Sequence, residues 1–104
     1  MRFSDAIALG SMITPQAIGT FEDSRGARCA LAAAADAVGQ SILTLYSYDG
    51  WKWIKGIHCC PACGGKAPTV EVISHLNDRH GWTRIRIAQW VAEIETTKDV
   101  SKDT

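Results

Sequence analysis

Two cysteines and two histidines occur in the order C-x2-C-x11-H-x4-H, at Cys60, Cys63, His75 and His80. No other feature of the chain restricts its fold as much. The string lies within residues 58–82, HCCPACGGKAPTVEVISHLNDRHGW, which hold three of the four cysteines and all three histidines. Two residues between cysteines let both sulfurs face one ion at about 2.3 Å. A glycine after the second cysteine, here Gly64, admits the left-handed backbone that turns amides toward the sulfurs. The middle gap is one residue short of the usual zinc-finger spacing of about twelve. Histidines five apart are not stacked on an ideal helix, so the reading needs a loosened last turn ahead of Gly81. The expectation is one structural Zn2+ held by Cys60, Cys63, His75 and His80. A chain of 104 residues has a thin stability margin, and such a staple supports it.

Other chemistries fit these residues less well. A redox C-x-x-C places its first cysteine at a helix N-terminus after a strand, and Gly64, Gly65 and Pro68 oppose a helix there. His75-x-Asn77-x-x-His80 shares letters with HNH nucleases, whose motif residues lie much further apart. A catalytic zinc keeps an open coordination position, whereas four ligands close it, although Asp78 is near in sequence. Cys59 adjoins a ligand, and neighbours in extended backbone point oppositely, so it is expected to be a plain thiol. His58 reads as a surface histidine, and Cys29 as a small core residue in an Ala-rich helix. No catalytic residue is assigned.

The rest of the sequence points to a mostly helical α+β domain. Residues 4–13 follow Ser4 and Asp5, a capping pair, with Ala6, Ile7, Leu9, Met12 and Ile13 at helical spacing. Pro15 and Gly19 end or kink that element, and residues 20–27 read as a loop. Residues 28–38, RCALAAAADAV, form a helix whose alanines allow close packing and whose C-cap is Gly39. Residues 41–57 read as extended or hairpin-like around Asp49–Gly50. Thr69 is expected to cap a helix running to about His80. Thr83 is expected to cap a second over 84–96, with Ile87, Trp90, Val91 and Ile94 on one face. Trp82 and Ile87 make a hydrophobic staple across that cap. The organisation expected is a single zinc-binding domain over 1–96 and a flexible tail over 97–104. About four helices pack around a zinc-stapled β-hairpin or knuckle.

Charge excludes little. Net charge is zero, but residues 51–90 contain six Lys/Arg against two acids. A chain neutral overall is no general magnet for nucleic acid or anionic membrane. No apolar run reaches the 18 or so residues of a membrane span, and the N-terminus lacks a secretory apolar core, so the expected location is cytoplasmic. Clustered cysteines in a reducing compartment favour metal over disulfides. Trp51 and Trp53 flank Lys52 and would share a side if extended. They are either core aromatics or an exposed partner anchor or base-stacking platform. Arg84 and Arg86 fall in the first turn of the last helix, against its dipole. They either pair with acids or contact an anion. Residues 69–96 also resemble a helix-turn-helix arrangement, with that arginine pair where a recognition helix meets DNA.

The stretch HLNDRHGWTRIRIAQWVAEIE resembles a group of small bacterial and phage proteins with the pattern H-L-N-D-x-H-x-W-[ST]-R-x-x-I-A-x-W. AIALGSMITPQAIG and CALAAAADAVG resemble two further stretches of that group. The resemblance covers most of the chain and marks His75, His80 and the C-x-x-C as its shared core. It implies a phage or prophage accessory protein, a class that often binds host proteins or small signals. The function expected is a non-enzymatic zinc-binding interaction protein with an unidentified host protein as partner. The alternative is a DNA-binding transcriptional regulator using residues 69–96.

Overall fold

The computed structural model describes residues 1–16, 29–40, 45 and 51–102, the last six as helical backbone. Four helices and a two-stranded antiparallel hairpin make up the described fold. Helix α1 spans Phe3–Ile13, α2 Ala30–Ala37, α3 Thr69–Asp78 and α4 Arg84–Lys102. A short 3₁₀ turn, Lys52–Lys55, leads into β1 (Ile57–Cys59), which pairs with β2 (Lys66–Pro68). The register sets Ile57 opposite Pro68, His58 opposite Ala67 and Cys59 opposite Lys66.

Helix α1 is the spine of the core. Its Phe3, Ala6 and Ile7 are fully buried, and it packs against both α2 and α4. Gly10 faces α2 so closely that a Cβ there would lie 2.0 Å from the carbonyl oxygen of Ala33. The glycine and the alanine run of α2 thus let two backbones meet where larger residues would separate them. Helix α1 stops at Thr14, whose extended backbone (ψ 147°) is what the following Pro15 requires. Its N-cap position is held by Arg2, whose side chain makes no capping bond; Ser4, expected as part of the cap, is already helical, and its hydroxyl donates to Glu95. Helix α2 starts at Cys29, whose Sγ accepts from Ala32 N at 3.5 Å, so this buried thiol both packs and caps. It ends at Gly39 (φ +69°), with Gln40 N bonded to Ala35 O at 2.9 Å.

The hairpin lies later than residues 41–57 suggest. Asp49–Gly50 falls outside the described residues, and the turn joining the strands is the cysteine loop itself. Before it, Trp51–Lys55 is wound rather than extended, so Trp51 and Trp53 do not alternate as strand residues would. Pro68 occupies the N-cap position of helix α3 without a side-chain capping bond, and Thr69, expected as the cap, is its first helical residue. Helix α4 starts at the expected cap, with Thr83 Oγ1 accepting from Arg86 N at 3.2 Å. Its backbone continues to Lys102, beyond the boundary at 96 read from the sequence.

Candidate metal centre

The loop between β1 and β2 is tied by its own backbone. Cys60 N donates to Gly65 O at 2.8 Å, and Gly64 N donates to Cys60 O at 2.8 Å. Gly64 has φ +78°, the left-handed conformation its position was expected to need. The loop thereby presents Cys60 and Cys63 together, Cys60 buried (4 % exposed) and Cys63 exposed. The opposite wall is the end of α3. Thr69 locks that helix to the hairpin, its backbone N and its hydroxyl both donating to Gly56 O, at 2.8 and 3.0 Å.

The last turn of α3 is loosened. His80 N reaches back to His75 O at 3.3 Å, one residue further than an α-helical bond. Trp82 N then bonds to Leu76 O at 3.0 Å, with Gly81 at φ +64° between them. This geometry swings His80 alongside His75, and their Nε2 atoms lie 2.9 Å apart. His75 Nε2 is also 3.5 Å from Cys63 Sγ. All four donor atoms of Cys60, Cys63, His75 and His80 lie within 4.8 Å of one another. Neighbouring donors on a tetrahedral zinc ion stand about 3.3–3.8 Å apart, given its bond lengths to sulfur and nitrogen. The donor set and its dimensions therefore suit a metal ion, with the two imidazoles opening slightly and the wider pairs closing. A cleft of about 350 Å3 adjoins the site, lined by Cys60, Cys63, Lys66, Glu71, Val72 and His75 among others.

No known family, curated protein or solved structure matches this chain.

His58 is not the surface residue its position in the sequence suggests. It is half-buried, and its Nδ1 meets Thr69 Oγ1. The Thr69 hydroxyl thus stands between the Gly56 carbonyl and the His58 ring. The His58 ring sits edge-on between Trp53 (6.2 Å) and Trp90 (6.4 Å). Trp53 continues to Phe3 at 6.4 Å, and Phe3 to Trp51 at 4.8 Å, each pair near perpendicular. These edge-to-face contacts connect α1, the 3₁₀ turn, β1 and α4 beside the candidate metal centre. Cys59 is exposed and lies outside the four-residue cluster.

The other candidate residues divide. Trp51 is 1 % exposed, and its Nε1 donates to Met1 O at 3.0 Å, so its indole serves the core and presents no partner anchor. Trp53 is half-buried against the same core. Arg84 is 6 % exposed. Its guanidinium donates to Thr14 Oγ1 at 2.9 Å, to Ser11 O at 3.2 Å and to Thr14 O. It thus satisfies the C-terminal end of α1 and is not presented to an external anion. Burial pulls its pKa down, and charge on Cys29 acts in the opposite sense. Arg86 is exposed and stacks over Trp82, 3.8 Å from the ring centroid. Sequence patterns did not show Gln16, which links the N-terminal segment to α3 and the turn after it. Its Nε2 donates to Asn77 Oδ1 at 2.9 Å and to Trp82 O at 2.8 Å.

Proposed function

We propose that Cys60, Cys63, His75 and His80 hold one Zn2+ as a structural staple, and that the domain is a non-enzymatic interaction module. The observation that carries this reading is the convergence of four metal-binding donors from two separate elements, the knuckle and the end of α3. Two thiolates and two imidazoles in a tetrahedral arrangement favour zinc among the common divalent ions. Bound there, the ion joins the cysteine loop to the end of α3, adding to the bonds that Thr69 makes to Gly56 at the start of that helix. The residues around it act by orientation. Gly64 turns the loop and the loosened turn brings His80 round.

In this reading the partner is a host protein or signal bound by a phage or prophage accessory factor, as the sequence resemblance implies. The DNA-binding alternative loses its strongest argument, because Arg84 is committed to α1. Arg86 alone of that pair faces outward. Purified protein mixed with duplex DNA separates the two readings. A regulator that neutralises phosphates loses affinity steeply with added salt. An interaction module shows no such binding. Elemental analysis before and after chelator treatment tests the staple itself, through metal content and melting temperature together.

A further inference from the structure

We propose that Cys60 and Cys63 form an oxidation site, at which a hydroperoxide converts the pair to a disulfide and releases the metal. The inference rests on the structural-zinc reading above. Cys63 is exposed at the tip of the knuckle, whereas Cys60 is buried behind it at 4 % exposure. The cleft of about 350 Å3 opens onto both residues. A single water needs only about 10–15 Å3 of such space, so small solutes have room to enter beside the cluster. Both sulfurs belong to the group whose donor atoms lie within 4.8 Å of one another, close enough to join without rearranging the helical core.

The chemistry balances with a hydroperoxide as the two-electron oxidant. The Cys63 thiolate attacks the outer peroxide oxygen, and the O–O bond breaks. The alkoxide or hydroxide released takes a proton from water, and Cys63 becomes a sulfenic acid. The Cys60 thiolate then attacks the Cys63 sulfur. The S–S bond forms, the S–O bond breaks, and hydroxide leaves and is protonated. The two sulfurs have lost two electrons, the peroxide has gained them, and the metal keeps only His75 and His80. The metal link between the knuckle and the end of α3 is then lost, while α1, α2 and α4 keep their own packing. Oxidation therefore loosens one end of the domain and leaves the rest folded. A thiol reductant with added zinc restores the starting state.

The test uses zinc-loaded full-length protein and its Cys59→Ser variant, which removes the exposed neighbouring thiol. Each is treated with an equimolar amount of hydrogen peroxide. Free zinc is read with a chromogenic chelator, and disulfides are read by peptide mass mapping. The expected result, in both proteins, is one zinc released per Cys60–Cys63 disulfide formed, reversed by reductant and zinc. Zinc retained through peroxide treatment overturns the proposal, as does zinc lost without a Cys60–Cys63 linkage. Protein that contains no zinc before the oxidant is added defeats the structural-zinc reading and this proposal with it. Zinc retained through oxidation defeats this proposal alone.

Discussion

The Glu95 carboxylate of α4 lies on the first turn of α1, accepting the Ser4 hydroxyl and standing 3.5 Å from Ser4 N. Arg84, eleven residues earlier in α4, holds the carbonyls at the other end of α1. The negative group therefore faces the positive end of the α1 dipole, and the positive group faces its negative end. One helix supplies both caps of its antiparallel neighbour. Glu95→Ala leaves the buried Ser4 hydroxyl without this partner and is expected to cost about 1–3 kcal/mol. Glu95→Gln keeps an acceptor and loses the charge, costing about 0.3–1 kcal/mol. Denaturant unfolding of both variants checks the order. Equal losses would mean that the charge, which both variants remove, and not the hydrogen bond to Ser4 accounts for the effect.

Arg84 and Arg86 are predicted to behave oppositely despite sharing one helical turn. Arg84→Ala exposes or orphans three acceptors at the end of α1 and should cost about 1.5–3 kcal/mol. In a domain this size each kcal/mol lowers the melting temperature by about 4–8 °C. Arg86→Ala gives up an exposed stack on Trp82 worth about 0.5–1 kcal/mol. It also removes a positive charge from a helix N-terminus, which returns a similar amount. Its melting temperature should stay close to that of the native chain. A large loss from Arg86→Ala alone would contradict these placements.

Gly10→Ala is expected to destabilise, although alanine normally favours a helix by about 1 kcal/mol over glycine. The added methyl would sit 2.0 Å from a backbone oxygen of Ala33, which has no flexible end to move aside. Overpacking of this kind costs about 1–3 kcal/mol or more. An increase in melting temperature for Gly10→Ala would show that α1 and α2 do not meet at this distance.

The knuckle register has its own test. Cys59→Ser should retain metal, and Cys60→Ser should lose it, as read by elemental analysis of the purified variants. Cys59 stands opposite Lys66 outside the cluster, while Cys60 is one of its four donors. The reverse pattern would mean that the ion takes the other cysteine.

The parts of this molecule legible in its sequence are those written in neighbouring residues. The C-x-x-C-G loop needs only Gly64 to turn it, and the Thr83 cap needs only the helix that follows. Even the loosened turn at His80 was implied by a five-residue gap followed by Gly81. What was not legible depends on partners far along the chain. Glu95 meets a serine 91 positions away, and Arg84 meets Thr14 across 70. No periodicity in one sequence pairs them. Thr69 looked like a cap because threonine is a good one, but the hairpin claims its hydroxyl for Gly56 and His58. The sequence leaves Trp51 open between the core and a partner surface, because the segment around it reads as extended. The 3₁₀ turn that replaces the strand accompanies its burial beside Phe3.

The central claim is that one metal ion fastens the knuckle to the end of α3. Native mass spectrometry of the purified chain, paired with thermal unfolding before and after a strong chelator, tests it most directly. The account predicts one zinc per chain, lost to the chelator together with a clear fall in melting temperature, because binding energy at a structural site is folding energy. A chain that carries no metal, and melts at the same temperature with and without chelator, would contradict it.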